Sequence, residues 1–111
     1  MQETSYTYLY VICEADQPEV VKIGFSIDPA RRVKQLQTGH ANTLHVFHKE
    51  AVETTKVKPI ERIIHKTLAH HKRKGEWFGI SPDDAVLEIK HALIRYGDVD
   101  DLSAHIRGGY F

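Results

Sequence analysis

The chain has 111 residues and a single cysteine, Cys13, so no disulfide can close within it. A disulfide-stapled secreted scaffold is thereby excluded. The N-terminus does not pair a basic region with the apolar core of a signal sequence, and a cytoplasmic location is the expectation. No apolar run approaches the ~20 residues that cross a bilayer. Charge of one sign is also missing: 15 lysines and arginines face 15 aspartates and glutamates. Without a global positive field, steering of nucleic acid must come from local surfaces. Neither an internal repeat nor a low-complexity linker breaks the chain, and its length suits one domain. The domain is expected over residues 1–97, with 98–111 as a C-terminal tail. Local charge is uneven, because Lys56, Lys58, Arg62, Lys66, Lys72, Arg73 and Lys74 crowd one region while Asp98, Asp100 and Asp101 sit together in the tail.

Against these absences stand two short runs rich in β-branched and aromatic residues, Tyr6 to Cys13 and Val20 to Phe25, which read as a hairpin. Alternation puts Tyr6, Tyr8, Tyr10 and Ile12 on one face and Leu9, Val11 and Cys13 on the other; both are apolar, so both are expected to be covered. In the second strand Lys22, Gly24 and Ser26 share a face. Gly24 leaves room for a close approach to the backbone. A helix follows, with Asp28 as cap, Pro29 at its first position, and Val33 and Leu36 as its apolar stripe. At about 100° per residue Arg32 flanks that stripe and Arg31 points to water, which makes Arg32 the working residue.

Gly39 reads as a left-handed helix cap, and Leu44 to Val52 as a third strand. His40 lies in the loop between them and reads from position alone as a solvated histidine. From Lys58 to about Lys72 the spacing of Ile60, Ile63, Ile64 and Leu68 is helical, opened by Pro59. Glu61 and His65 lie along the edge of its buried face, with Lys72 on the same line. Glu61 reads either as a partly desolvated ligand or as an exposed acid pairing with His65 or Lys58. Zinc is disfavoured despite eight histidines, since a second cysteine and an HExxH pattern are both missing. Gly75 to Ile80 reads as a turn into a short extended segment in which Trp77 and Phe78 close the core. Ser81 and Pro82 then start a last helix that Gly97 ends.

Taken in order, Tyr8-Leu9-Tyr10, Lys22-Ile23-Gly24, the arginine after Asp28-Pro29, Glu61-Arg62-Ile63-Ile64-His65 and Gly75-Glu76-Trp77-Phe78 resemble the GIY-YIG endonuclease superfamily. The closer similarity is to its small T5orf172 or Mug113-like subgroup, over roughly Tyr6 to Ile89. The resemblance implies an α/β sandwich: a central three-stranded, mainly antiparallel sheet flanked by helices. It implies a metal-dependent endonuclease acting on DNA, the alternative being a noncatalytic nucleic-acid-binding or regulatory module on the same fold; single-stranded DNA is a candidate because tyrosines such as Tyr8 either stack on bases or belong to the core. A homodimer or a specificity partner fits the lack of a separate DNA-reading domain.

By that resemblance Glu61 binds one Mg2+ or Mn2+ ion, Arg32 holds the scissile phosphate, and Tyr10 positions or deprotonates the attacking water. Lys22 stands where many superfamily members carry tyrosine; it is expected to lower the Tyr10 pKa, with His40 as the other candidate base. Tyr8, Gly24 and Lys72 are expected along the substrate, with His65 supporting Glu61. Glu76 is expected either as a second carboxylate near the metal or as the partner of a buried cation such as Arg32.

Overall fold

In the computed structural model, which describes residues 4–99, β1 (Tyr6–Glu14) and β2 (Gln17–Ser26) form the hairpin. Then come α1 (Pro29–Gln37), β3 (Leu44–Glu53), α2 (Thr54–Thr67), a 3-10 turn (Ala69–His71), β4 (Trp77–Phe78) and α3 (Pro82–Tyr96). The sheet runs β3-β1-β2-β4 and is antiparallel throughout. It therefore has four strands where three were expected. The extra one is the two-residue extended segment at Trp77 and Phe78, recruited as an edge by pairing with Lys22 and Val21. So short a run has no periodicity of its own and becomes a strand only through its partner.

The expected two-faced burial holds. Leu9, Val11, Cys13, Val21, Ile23 and Phe78 pack against α2 and α3 through Val57, Ile60, Ile63, Ile64, Ala85 and Ile89. On the opposite face Tyr10, Ile12 and Leu44 meet α1 through Val33 and Leu36, with Val46 and Trp77 alongside. Each fully buried aliphatic side chain in these layers contributes about 1.5–3 kcal/mol. Cys13 is part of the larger layer, where burial pushes its thiol pKa up and its Sγ lies 3.3 Å from His45 Nε2. It is a packing residue.

Several local signals act as read. Asp28 accepts from Arg31 N at 3.1 Å, Ser81 accepts from Asp84 N at 3.1 Å, and Gly97 caps α3. Three others act differently. Gly39 is not left-handed: the only positive-φ glycine among the described residues is Gly75. The Gln37 side chain stitches the α1–β3 loop instead, donating to Asn42 O and accepting from Leu44 N, both at 2.8 Å. Pro59 does not open α2 but lies inside it, because β3 passes straight into the helix at Thr54, whose amide donates to Ser5 O. Burial of Val57, Ile60, Ile63 and Ile64 keeps the helix continuous across the missing amide. Finally, β3 carries a bulge opposite Val11 and Ile12, so Leu44 and Val46 face α1 whereas Val52 faces α2. The tail expected at 98–111 lies, from residue 100 onward, outside the described residues.

Candidate functional site

The hairpin register places Tyr10 opposite Gly24, and Ile12 opposite Lys22. The Tyr10 ring lies flat across the glycine: a Cβ at Gly24 would come within 2.5 Å of the phenol oxygen and 2.8 Å of Cζ. Gly24 thus makes room for the end of Tyr10 itself, holding the phenol at the sheet surface although the residue is only 2 % exposed. Burial raises the phenol pKa, and the negative charges of Glu76 and Glu61 push the same way. The Arg32 guanidinium, facing the phenol oxygen from α1, pulls downward without overcoming them. Arg31 is exposed, as the helical projection requires.

Lys22 lies on the face of Tyr10 but does not perform the expected task of lowering its pKa. Its buried ammonium is claimed by Glu76 at 3.1 Å and sits 5.7 Å from the centre of the Trp77 ring. Arg32 is the cation that bears on Tyr10. Of the two roles expected for Glu76, the structure shows pairing with a buried cation, with Lys22 taking the place of Arg32. Removing that charge in Glu76→Gln would strand an ammonium in a mostly dry position, and a loss of about 1–2 kcal/mol is expected in urea unfolding.

Glu61 stands on α2, the helix on the other face of the sheet, and is half-buried; its charge bears on Tyr10, and those of Glu76 and Lys22 bear on it. Burial, then repulsion from Glu76, push its carboxyl from an ordinary 4.5 up to about 7; Arg62, Lys22 and Lys58 offset this only in part. The contacts of His65 run to the sheet: Nε2 donates to Ile23 O at 2.8 Å, and the ring meets Phe78 edge-on with centres 4.9 Å apart. It fastens α2 to the Lys22-Ile23-Gly24 segment about one turn beyond Glu61, and so supports that residue through the backbone.

His40 is not a solvated loop residue. Its Nε2 donates to Glu14 Oε1 at 2.5 Å, and its ring stacks on Trp77 with centres 5.6 Å apart. Glu14, nearly buried at the end of β1, receives Asn42 Nδ2 on its other oxygen at 2.9 Å. Sequence reading passed over Glu14; the signal available was an acid closing an otherwise apolar strand on the face of Tyr10 and Ile12. Tyr8 lies one pair beyond Tyr10 on the same face, with Lys49 Nζ 4.9 Å from its ring centre. Lys72 departs from expectation, since α2 ends at Thr67 and Lys72 is extended, its backbone bridged to Phe78. The helical line through Glu61, His65 and Lys72 is therefore broken.

Tyr10 on β1 thus lies under the influence of Arg32 from α1 and of Glu61 from α2, with the Lys22–Glu76 pair and the Glu14–His40–Trp77 group on the same strands and their neighbouring loop. Such a set can hold an anion, orient a water molecule and supply a carboxylate ligand. Among the described residues no group of three or more His, Cys, Asp or Glu side chains gathers into a metal cage, and no helix is long and apolar enough to cross a membrane. Neither a curated protein nor a solved structure matches the chain. The T5orf172 domain matches residues 7–93, which takes in every candidate site residue named above. The chain belongs to the T5orf172 domain family, a family associated with GIY-YIG-like, nuclease-like proteins.

Proposed function

We propose that the protein is a metal-dependent endonuclease hydrolysing DNA phosphodiester bonds. The observation that carries this reading is a buried tyrosine lying flat over Gly24, with the Arg32 guanidinium facing its hydroxyl from α1 and the charges of Glu61 and Glu76 bearing on the same phenol. Glu61 fits a divalent cation. Burial and repulsion from Glu76 raise its carboxyl pKa, a rise that a bound dication would reverse, and a hard oxygen donor in partial solvent access suits Mg2+ or Mn2+ with water completing the shell. When bound, such an ion neutralises charge on phosphate oxygens and makes water more acidic.

The remaining work falls to the chain. Arg32 donates to non-bridging phosphate oxygens, a task for which its planar fork is suited. Tyr10, held as the phenol by burial, orients the incoming water and the phosphate through its hydroxyl; its raised pKa argues against a resting phenolate. His40 is turned so that Nε2 meets Glu14, which leaves Nδ1 on the other side of its ring. That nitrogen is the candidate for taking the water's proton as the water oxygen bonds to phosphorus; the bridging phosphorus–oxygen bond then breaks and the leaving oxygen takes a proton from solvent. Lys22, neutralised by Glu76, balances charge beneath the site.

The test is to incubate the protein with supercoiled plasmid and with circular single-stranded DNA in magnesium, manganese or EDTA. Cutting of either circle with metal, and none in EDTA, is expected. Binding that survives EDTA without cutting in either metal would transfer the assignment to a noncatalytic nucleic-acid module.

A further inference from the structure

The β3 bulge has an effect on the site side of the sheet. Upstream of it, Leu44 and Val46 face α1; downstream, Lys49 pairs with Tyr10 and so faces the same way. Phe47 is the extra residue between these two registers. An unbroken strand would send its ring to the α2 face, whereas here Phe47 lines a cavity of about 440 Å³ with Pro29 and Ala30, the first residues of α1. Phe47 remains 43 % exposed. Bulges re-aim side chains in this manner beside active sites.

The cavity's position matters as much as its walls. Pro29 and Ala30 lie within one turn of Arg32, and Lys49 is the cross-strand partner of Tyr10. Lys49 also reaches over the Tyr8 ring at 4.9 Å, so a cation bridges the cavity rim and a second aromatic surface. The lining is the partly exposed Phe47, the apolar Pro29, Ala30 and Val46, and two nitrogen-bearing side chains, His48 and Lys49. This combination suits a flat π-system joined to an anion, which describes a nucleotide. A paired base in a duplex keeps both faces stacked and cannot present one to Phe47; an unpaired base can.

We infer that the Phe47–Pro29–Ala30 cavity, with Lys49 at its rim, binds an unpaired nucleobase next to the phosphate held by Arg32, making single-stranded or locally unpaired DNA the substrate. This rests on the nuclease reading above and names its substrate class. Phe47 is then a specificity residue, with Lys49 meeting the adjoining phosphate and Tyr8 available to the following base.

The experiment compares wild type, Phe47→Ala, Phe47→Trp and Leu87→Ala on a single-stranded oligonucleotide and on its blunt duplex. KM and kcat are read in manganese, and affinity in EDTA. Leu87, exposed on α3, controls for loss of a surface apolar group. Loss of one base–aromatic stack should raise KM for the single strand about 10-fold in Phe47→Ala, with a smaller change in kcat. Phe47→Trp should restore affinity, and Leu87→Ala should match wild type. Since Phe47 is partly exposed, unchanged melting temperatures are expected and would confirm that folding is not the cause. Wild-type KM on the single strand in Phe47→Ala, or equal KM increases on single strand and duplex, would overturn the subsite while cutting itself persists. Failure of wild type to bind or cut any nucleic acid would instead remove the nuclease reading, and the subsite with it.

Discussion

Replacing Glu61 by glutamine should make the protein more stable and inactive. The folded state holds the Glu61 proton more tightly than an unfolded chain does, the carboxyl moving from 4.5 to about 7. A raised carboxyl pKa means that ionisation opposes folding: the penalty is absent below about pH 4.5, grows between 4.5 and 7, and is complete above 7. Glutamine of the same shape carries no such penalty. At pH 8 the Glu61→Gln variant is expected to gain about 1–2 kcal/mol in urea unfolding, allowing for solvent screening at this half-open position. At pH 4.5 the advantage should vanish. Millimolar manganese should raise the wild-type melting temperature at pH 8 by binding the folded state, and leave the variant's unchanged. A destabilised variant at pH 8 would mean that Glu61 is an ordinary paired surface acid. Stability given up at one carboxylate is the pattern of a residue kept for chemistry.

Adding one methyl group at Gly24 is the second large effect. The Cβ of alanine would fall 2.5 Å from the Tyr10 hydroxyl and 2.8 Å from Cζ, well inside van der Waals contact. A phenol ring cannot bend, and Tyr10 is packed with Ile12, Leu44, Val33 and Leu36 on its own face. The ring must therefore tilt or lift off the strand, carrying its hydroxyl from the position facing Arg32. A displacement near 1 Å in a positioning group costs about 100-fold in rate. Overpacking of this kind also costs about 1–3 kcal/mol of stability. The two effects separate in Gly24→Ala combined with Tyr10→Phe, where removing the hydroxyl relieves the closest contact: stability should partly return and activity should not.

These two predictions draw on parts of the site that differ in how readily the sequence discloses them. Asp28-Pro29 and Ser81-Pro82 could be read directly because helix caps are local, each closing within a few residues. The sharing of one face by Lys22 and Gly24 was equally legible from strand alternation, whereas their meeting with Tyr10 depends on the hairpin register that pairs Tyr10 with Gly24. Arg32 followed from helical geometry in the same way. Tertiary pairing decided the rest. The β3 bulge comes from the mismatch between two strands and leaves no mark in either one alone. Pro59 inside α2 reflects tertiary burial prevailing over a local helix-start signal.

Electrostatic roles were the least legible. Lys22 faces Tyr10 as expected, yet its charge is taken up by Glu76, a residue that reaches it only because β4 docks beside β2. The grip of Glu14 on His40 spans 26 positions and depends on the loop that Gln37 ties down. Such partners emerge from the assembled fold, so a sequence can name candidate residues without disclosing which of them pair.

The most direct test of the central claim is a side-by-side cleavage time course on circular single-stranded DNA in manganese, with wild type and Glu61→Gln at equal concentration. Linear product from wild type alone, abolished by EDTA, is the predicted result. Equal rates from both proteins would contradict the account, because the carboxylate assigned to the metal would then be dispensable for cutting.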